Sequence, residues 1–190
     1  MRRPPRYDLP NAAPGGLRLV QELVNTSDHE HGREWLATPD ELEHWFAARG
    51  LAADGLGPKE LARVHAFREG LRELLIANNE PRPIPADAVE ELGRAADRSR
   101  LTLSFGRRGT VELVSSAGSL DGAIGRILST VHAAIADGTW QRLKACRNCH
   151  WAFYDYSRNR SASWCSMAIC GNRLKTRAYR RRGRSRAASA

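Results

Sequence analysis

All four cysteines of this 190-residue chain fall between positions 146 and 170, spaced C-x2-C, then fifteen residues, then C-x4-C. Two thiolate pairs on either side of a short insert can close a tetrahedral Zn²⁺ site. Cys146 and Cys149 form the first pair, Cys165 and Cys170 the second. Thiolates suit the borderline-soft Zn²⁺, and four of them leave no open position for water. The expected metal is therefore structural, and its binding energy is folding energy for a segment too small to carry a large core. Two disulfides are the alternative use of the same spacing, and a reducing compartment favours the metal. His150, next to Cys149, is a spare donor expected outside the shell.

Charge divides the chain at the same place. Residues 1–143 hold 18 Lys/Arg against 20 Asp/Glu, whereas residues 144–190 hold 12 against 1, which leaves the whole at +9. A near-neutral body thus carries a segment of +11, which points to a polyanionic partner, most simply nucleic acid, with DNA and RNA both open. With 42% hydrophobic and 27% charged residues, a folded, soluble protein is expected. No apolar run reaches the roughly 18–20 residues that cross a bilayer. The start, MRRPPRYDLPNAAPGG, is basic without a following apolar segment, so no membrane partner and a cytoplasmic address are expected.

The pattern upstream of the cysteines is mostly helical. Residues 1–16, rich in Pro and Gly, read as a flexible arm. Leu17, Val20, Leu23 and Val24 recur at helical spacing over 16–25, and NTSDHEHG (25–32) reads as a polar loop. Thr38-Pro39-Asp40-Glu41 is a capping box with Pro at the first helical position, opening a helix over 39–49 that Gly50 can terminate. Gly57-Pro58 opens the next, carried to about residue 78 by Leu61, Val64, Phe67, Leu71, Leu74 and Leu75; a weaker helix covers 86–98. The period then becomes two: Leu101, Leu103 and Phe105, a Gly106–Gly109 turn, then Val111 and Leu113 give one β-hairpin. Leu120, Ile124, Ile127, Leu128, Val131 and Ile135 mark a long helix expected to pack on that hairpin and the earlier helices. The fold class is α+β: a mostly helical domain over 17–143, then a small metal module over 144–182 and a disordered basic tail, 183–190.

Within the module, Trp151, Phe153, Tyr154, Tyr156 and Trp164 are expected to form a small core, and the lone acid Asp155 to be paired with a cation. A helix over about 167–182 would carry the last ligands, making the module treble-clef-like with a basic C-terminal helix. Asn172 and Arg173 have the chemistry to read adenine and guanine edges. Lys175, Arg177, Arg180, Arg181 and Arg182 suit phosphates, and Arg158 and Arg160 in the insert join them. In the helical domain, Asn25, Asp28, His65 and Arg68 are the polar candidates for a small-molecule ligand, with His29 and His31 beside them. The alternative function they support is an enzyme with its pocket in residues 17–140 and the metal module as scaffold, although their spacing matches no catalytic arrangement.

The run from Cys146 through Phe153, Asp155, Ser157-Arg158-Asn159 and Trp164-Cys165-Ser166-Met167 to Cys170-Gly171-Asn172-Arg173 and Lys175 resembles the CGNR zinc finger. The segment LVNTSD (23–28), the Trp45-Phe46…Gly50-Leu51 stretch and FREGLRELLIANN (67–79) resemble the ABATE domain that precedes this finger. The resemblance implies a bacterial, stress-linked transcription regulator whose finger binds DNA and whose N-terminal domain senses a ligand. Where members of the family carry two arginines before the Trp-Cys pair, this chain has Ala162-Ser163. A reader of two half-sites is often a dimer, so a homodimer is an arrangement to look for.

Overall fold

The computed structural model describes residues 11–172. The first ten residues, the basic run from Arg173 to Arg182 and the tail beyond it lie outside the described residues. So does all but the start of the helix expected over 167–182.

The first helix, α1 (Leu17–Val24), buries Leu17, Val20, Leu23 and Val24, the four residues whose spacing announces it. The segment expected as a plain loop holds more order than its composition suggests. Two short strands, β1 (Ser27–Asp28) and β2 (Arg33–Glu34), pair antiparallel across it. Asp28 closes the turn by accepting hydrogen bonds from the amides of Glu30 and His31, and its other oxygen lies 2.6 Å from His31 Nδ1.

Helix α2 (Pro39–Ala47) starts through the expected box: the Glu41 amide donates to Thr38 Oγ1, and the Thr38 amide donates to Glu41 Oε2. The twenty-residue α3 (Pro58–Ala77) is the spine, with Val64, Phe67, Leu71 and Leu75 fully buried. At ~1.5–3 kcal/mol for each such side chain, this one stripe contributes several kcal/mol to cohesion. Helix α4 (Ala86–Arg98) packs along α3 and leads into the hairpin of β3 (Leu101–Phe105) and β4 (Val111–Ser115), registered with Leu103 opposite Leu113. Helix α5 (Ser119–Ala136) packs on α1, α4 and β4, as its apolar stripe requires. Gly125 makes the last contact possible, because a Cβ there would come within 2.5 Å of Ser115 Cβ.

A 3₁₀ turn (Trp140–Arg142) then hands the chain to β5 (Leu143–Ala145) and β6 (Ala152–Tyr154), an antiparallel pair laid against α3 and α1. Its alternation serves two cores at once. Leu143, Ala145, Ala152 and Tyr154 join the large helical core, whereas Trp151 and Phe153 pack with the four cysteines. The expectation that the five aromatics form one local core therefore needs correction: Tyr154 belongs to the body, and Tyr156 is 59% exposed. Strand geometry decides this, since neighbours in a strand face opposite ways.

Candidate metal centre

Cys146 and Cys149 flank a tight turn in which the His150 amide donates to the Cys146 carbonyl and the Cys146 amide to the Trp151 carbonyl. Closing that turn puts His150 at φ 58°. A residue with a side chain costs about 1–2 kcal/mol in the left-handed region, so the knuckle is held by something else. Of the second pair, Cys170 sits on a π-helical turn (Met167–Gly171) and Cys165 lies just before its cap, Ser166, whose hydroxyl accepts from the Ile169 amide. The backbone turns closely at Gly171: a Cβ there would lie 2.6 Å from the Met167 sulphur and 3.1 Å from Trp164, so a larger residue would have to displace the Met167 side chain.

These turns bring four buried, free thiols together. The sulphurs of Cys149, Cys165 and Cys170 are mutually 3.6 Å apart, and all four ligand atoms lie within 4.8 Å of one another. A tetrahedron of sulphurs at ~2.3 Å from a zinc ion has edges of ~3.8 Å, so the cluster has the size of a ZnS₄ shell. The chemistry agrees. The thiols shift in opposite directions: Cys146, first among their neighbours, pushes the Cys149 and Cys165 thiols up, whereas Cys149, first among its own, pulls the Cys146 thiol down. Four buried sulphurs at this spacing ionise together only around a cation. The four cysteines suit structural zinc.

The insert between the pairs is pinned by a buried ion pair. Lys144 Nζ lies 2.7 Å from Asp155 Oδ2 and also donates to the carbonyls of Arg160 and Ala162. Asp155 in turn accepts from the amides of Ser157 and Ala162, and Arg142 Nη1 donates to the carbonyls of Asp155 and Ser157. Burial alone would push the Asp155 carboxyl up, but Lys144 and the Ser157 hydrogen bonds outweigh it and hold it below its ordinary value. The loop so fixed presents Arg158 and Arg160 to solvent. Asn172 is exposed just past the last ligand, and Arg173, Lys175, Arg177 and Arg180–Arg182 lie outside the described residues.

A family model described as "Putative stress-induced transcription regulator" (ABATE) matches residues 17–139, about two thirds of the chain. The chain belongs to the ABATE family. A second model, the CGNR zinc finger, matches residues 142–183 and so contains all four thiols. No curated protein gives a significant match. Among the described residues, no helix is long and apolar enough to cross a membrane.

The CGNR finger is fastened to the ABATE segment by polar side chains, Arg72, Asn79 and Asn25 buried and Asn78 half-buried, whose fastening role sequence reasoning missed. Arg72, 2% exposed, donates to the carbonyl of His150 in the knuckle at 2.9 Å, to those of Val24 and Ser27, and to Glu69. Asn79 donates to the carbonyls of Ala145 and Ser163, and its own carbonyl accepts from Arg147. Asn78 donates to Trp140 and Leu143. Asn25 binds both backbone groups of Ala152, at 2.9 Å to its oxygen and 2.7 Å from its nitrogen, as a neighbouring strand would. Arg72 had one readable signal. It stands directly after Leu71 and three before Leu75, on the buried side of a helix, where an arginine needs partners.

The four ligand candidates of the ABATE domain are spread over distinct contacts. Asn25 lies on the finger and lines a cavity of about 30 Å³ shared with Gln21, Trp151 and Phe153, room for about one water. Arg68 makes a two-pronged pair with Glu34 and reaches Thr26 Oγ1. Asp28 holds its own turn, and His65 Nε2 lies 2.8 Å from the Leu36 carbonyl oxygen. His29 stands 3.2 Å from Glu69 with its ring 6.1 Å from that of His150; burial first, then Arg72, lowers its pKa.

Proposed function

We propose that this ABATE-family protein is a zinc-dependent DNA-binding transcription regulator, with the finger as its DNA-contacting part and the helical domain as its sensing part. The observation that carries this reading is where the basic segment falls in the sequence. It is strung from the insert and the last ligand of a four-thiolate site, and that site is hydrogen-bonded to the helical body through Arg72, Asn79 and Asn25. The contacting set is Arg158, Arg160, Asn172, Arg173, Lys175, Arg177, Arg180, Arg181 and Arg182. The cations set affinity through phosphates, while Asn172 and Arg173 have the side chains that distinguish bases.

In this reading a small molecule on the helical domain acts on the finger by altering the hold of α1 and α3 upon it. Of Asn25, Asp28, His65 and Arg68, Asn25 reaches the finger directly, and Arg68 shares Glu69 with Arg72. The test is retention of fluorescent duplex DNA by zinc-loaded protein across a salt series. Binding should weaken linearly in log salt, by a slope of ~0.9 per neutralised phosphate. The Arg158→Ala/Arg160→Ala pair should reduce that slope by roughly two contacts. Zinc-loaded protein that retains no DNA even at low salt would refute the proposal. RNA that displaces DNA at equal salt would replace the partner by RNA.

A further inference from the structure

Helix α1, the end of α2 and the middle of α5 border an open cleft of about 380 Å³, within the ~300–1,000 Å³ of small-molecule pockets. Three guanidinium groups line it: Arg18 of α1, Arg49 just past α2, and Arg126 of α5. Leu19 and Leu51 supply an apolar wall. The one acid of the lining, Glu22, sits between two of the cations, with Oε1 2.6 Å from Arg18 Nε and Oε2 2.9 Å from Arg49 Nε. Burial raises the Glu22 carboxyl, but the hydrogen bonds from Arg18 and Arg49 outweigh it and hold it below its ordinary value. Three positive groups against one negative therefore leave the lining at +2. Arg49 is steadied further by the Trp45 carbonyl, 2.9 Å from its Nη1, and by the Trp45 ring, 4.0 Å from its Cζ. Among the described residues, both Nη atoms of Arg18, Nη2 of Arg49 and the guanidinium of Arg126 meet no acceptor.

We propose that this cleft binds a small organic phosphate monoester. Such a group carries about −2 near neutral pH and presents three terminal oxygens. Both match a lining of +2 with three guanidinium groups, whose paired N–H donors suit phosphate oxygens. A carboxylate brings one charge and two oxygens, and leaves a cation unanswered. Leu19 and Leu51 receive the organic part. The cleft also adjoins the finger. Arg18 and Glu22 line the small cavity bounded by Trp151, Phe153 and Cys165 as well. The same turn of α1 carries Gln21, whose Nε2 donates to the Ala152 carbonyl at 3.1 Å. A phosphate on Arg18 competes with Glu22 for that side chain, one residue from the contact that holds β6. This gives the sensing role proposed above a place and a ligand class; the coupling to the finger rests on that reading, and the binding does not.

Isothermal titration of the zinc-loaded full chain with phenyl phosphate, without DNA, tests the site. Binding is expected to tighten above pH ~6, where the phosphate loses its second proton. Arg126→Gln, and separately Arg18→Gln, should weaken it by ~10-fold or more, the loss of a charged hydrogen bond. Arg126 is exposed and in no ion pair with a described residue, so its variant should keep the wild-type fold and zinc content. A wild type that takes up no phenyl phosphate at ~10 mM, well above a weak ~1 mM Kd, overturns the proposal. So does an affinity unchanged in both variants, or one equalled by benzoate or by inorganic phosphate. Binding lost instead in the Arg158→Ala/Arg160→Ala pair puts the anion on the finger and overturns it too. DNA retention is read separately, and phenyl phosphate should change it in wild type but not in Arg126→Gln. Retention that ignores a bound phenyl phosphate overturns the coupling. A chain that binds phenyl phosphate and retains no DNA keeps the site and refutes the regulator; one that retains DNA and binds no phenyl phosphate does the reverse.

Discussion

Arg72→Met removes one of the groups that tie the finger to the body. The side chain is 2% exposed and makes hydrogen bonds at 2.7, 2.8, 2.9 and 3.2 Å. Methionine keeps the apolar stem, so packing survives and the polar loss is isolated. Three backbone carbonyls and one carboxylate oxygen lose a charged donor. Hydrogen bonds to charged groups contribute ~1.5–3 kcal/mol each, but relaxation and the surviving Arg68–Glu69 contact limit the total. Removing one partner from a buried charged network costs about 3–5 kcal/mol, and that is the expected loss. For a chain of this size it corresponds to a drop of roughly 6–20 °C in Tm. The His150 carbonyl is one of the orphaned acceptors, and His150 sits at a strained φ, so part of the loss falls on the knuckle itself. Transfer of zinc to a chromophoric chelator should therefore quicken, by up to the ~10–100-fold that loss of a ligand's own outer hydrogen bond costs in affinity. Arg72→Lys, with one ammonium and no fork, should fall between. If Arg72→Met lies within ~1 kcal/mol of wild type and releases zinc at the wild-type rate, the fastening role is wrong.

Three further outcomes follow from the geometry. The native chain should hold one zinc and resist a thiol reagent, then expose four reactive thiols and lose the part of its near-ultraviolet tryptophan signal that Trp151 supplies when the metal is stripped, because Trp151 packs on the cysteines while Trp45 and Trp140 lie in the helical core. Asp155→Ala should cost about 3–5 kcal/mol in urea unfolding, since it leaves Lys144 buried without its counter-charge. Because the folded Asp155 pKa lies below its unfolded value of ~3.9, its contribution is complete above that pH and fades as pH falls through the folded pKa; unfolding midpoints of wild type and Asp155→Ala should converge there. Gly125→Val should cost ~1–3 kcal/mol by forcing Ser115 and the hairpin off α5, read as a lower urea midpoint.

Local chemistry was legible in this sequence to the extent that its partners are near in the chain. Thr38 and Glu41 are three residues apart, so their box announces α2 without any tertiary knowledge. The alternation of Leu101, Leu103 and Phe105 announces β3, and the cysteine spacing announces the metal shell. The opposite holds for the fastening residues. Arg72 and His150 are 78 positions apart, and Asn25 and Ala152 are 127 apart, so nothing in either neighbourhood names the other. Asp155 illustrates the intermediate case. A lone acid among cations must be paired, but its partner is Lys144 from the facing strand, eleven residues away. The hairpin was legible as a hairpin, while its exposure was not, because period two shows that a face is apolar and not what lies against it.

The β5–β6 pair carries a practical consequence for cutting this protein apart. A piece that starts at residue 142 would keep every zinc ligand and still be a poor reagent. Leu143, Ala145, Ala152 and Tyr154 would turn to water, and Ala152 would lose the amide that stands in for a neighbouring strand. Such a fragment would present a sticky flank alongside its cations, and any retention of nucleic acid by it would report that flank as much as the cations. The finger is less a detachable cassette than a corner of the body, and tests of the proposed DNA contact belong on the whole chain.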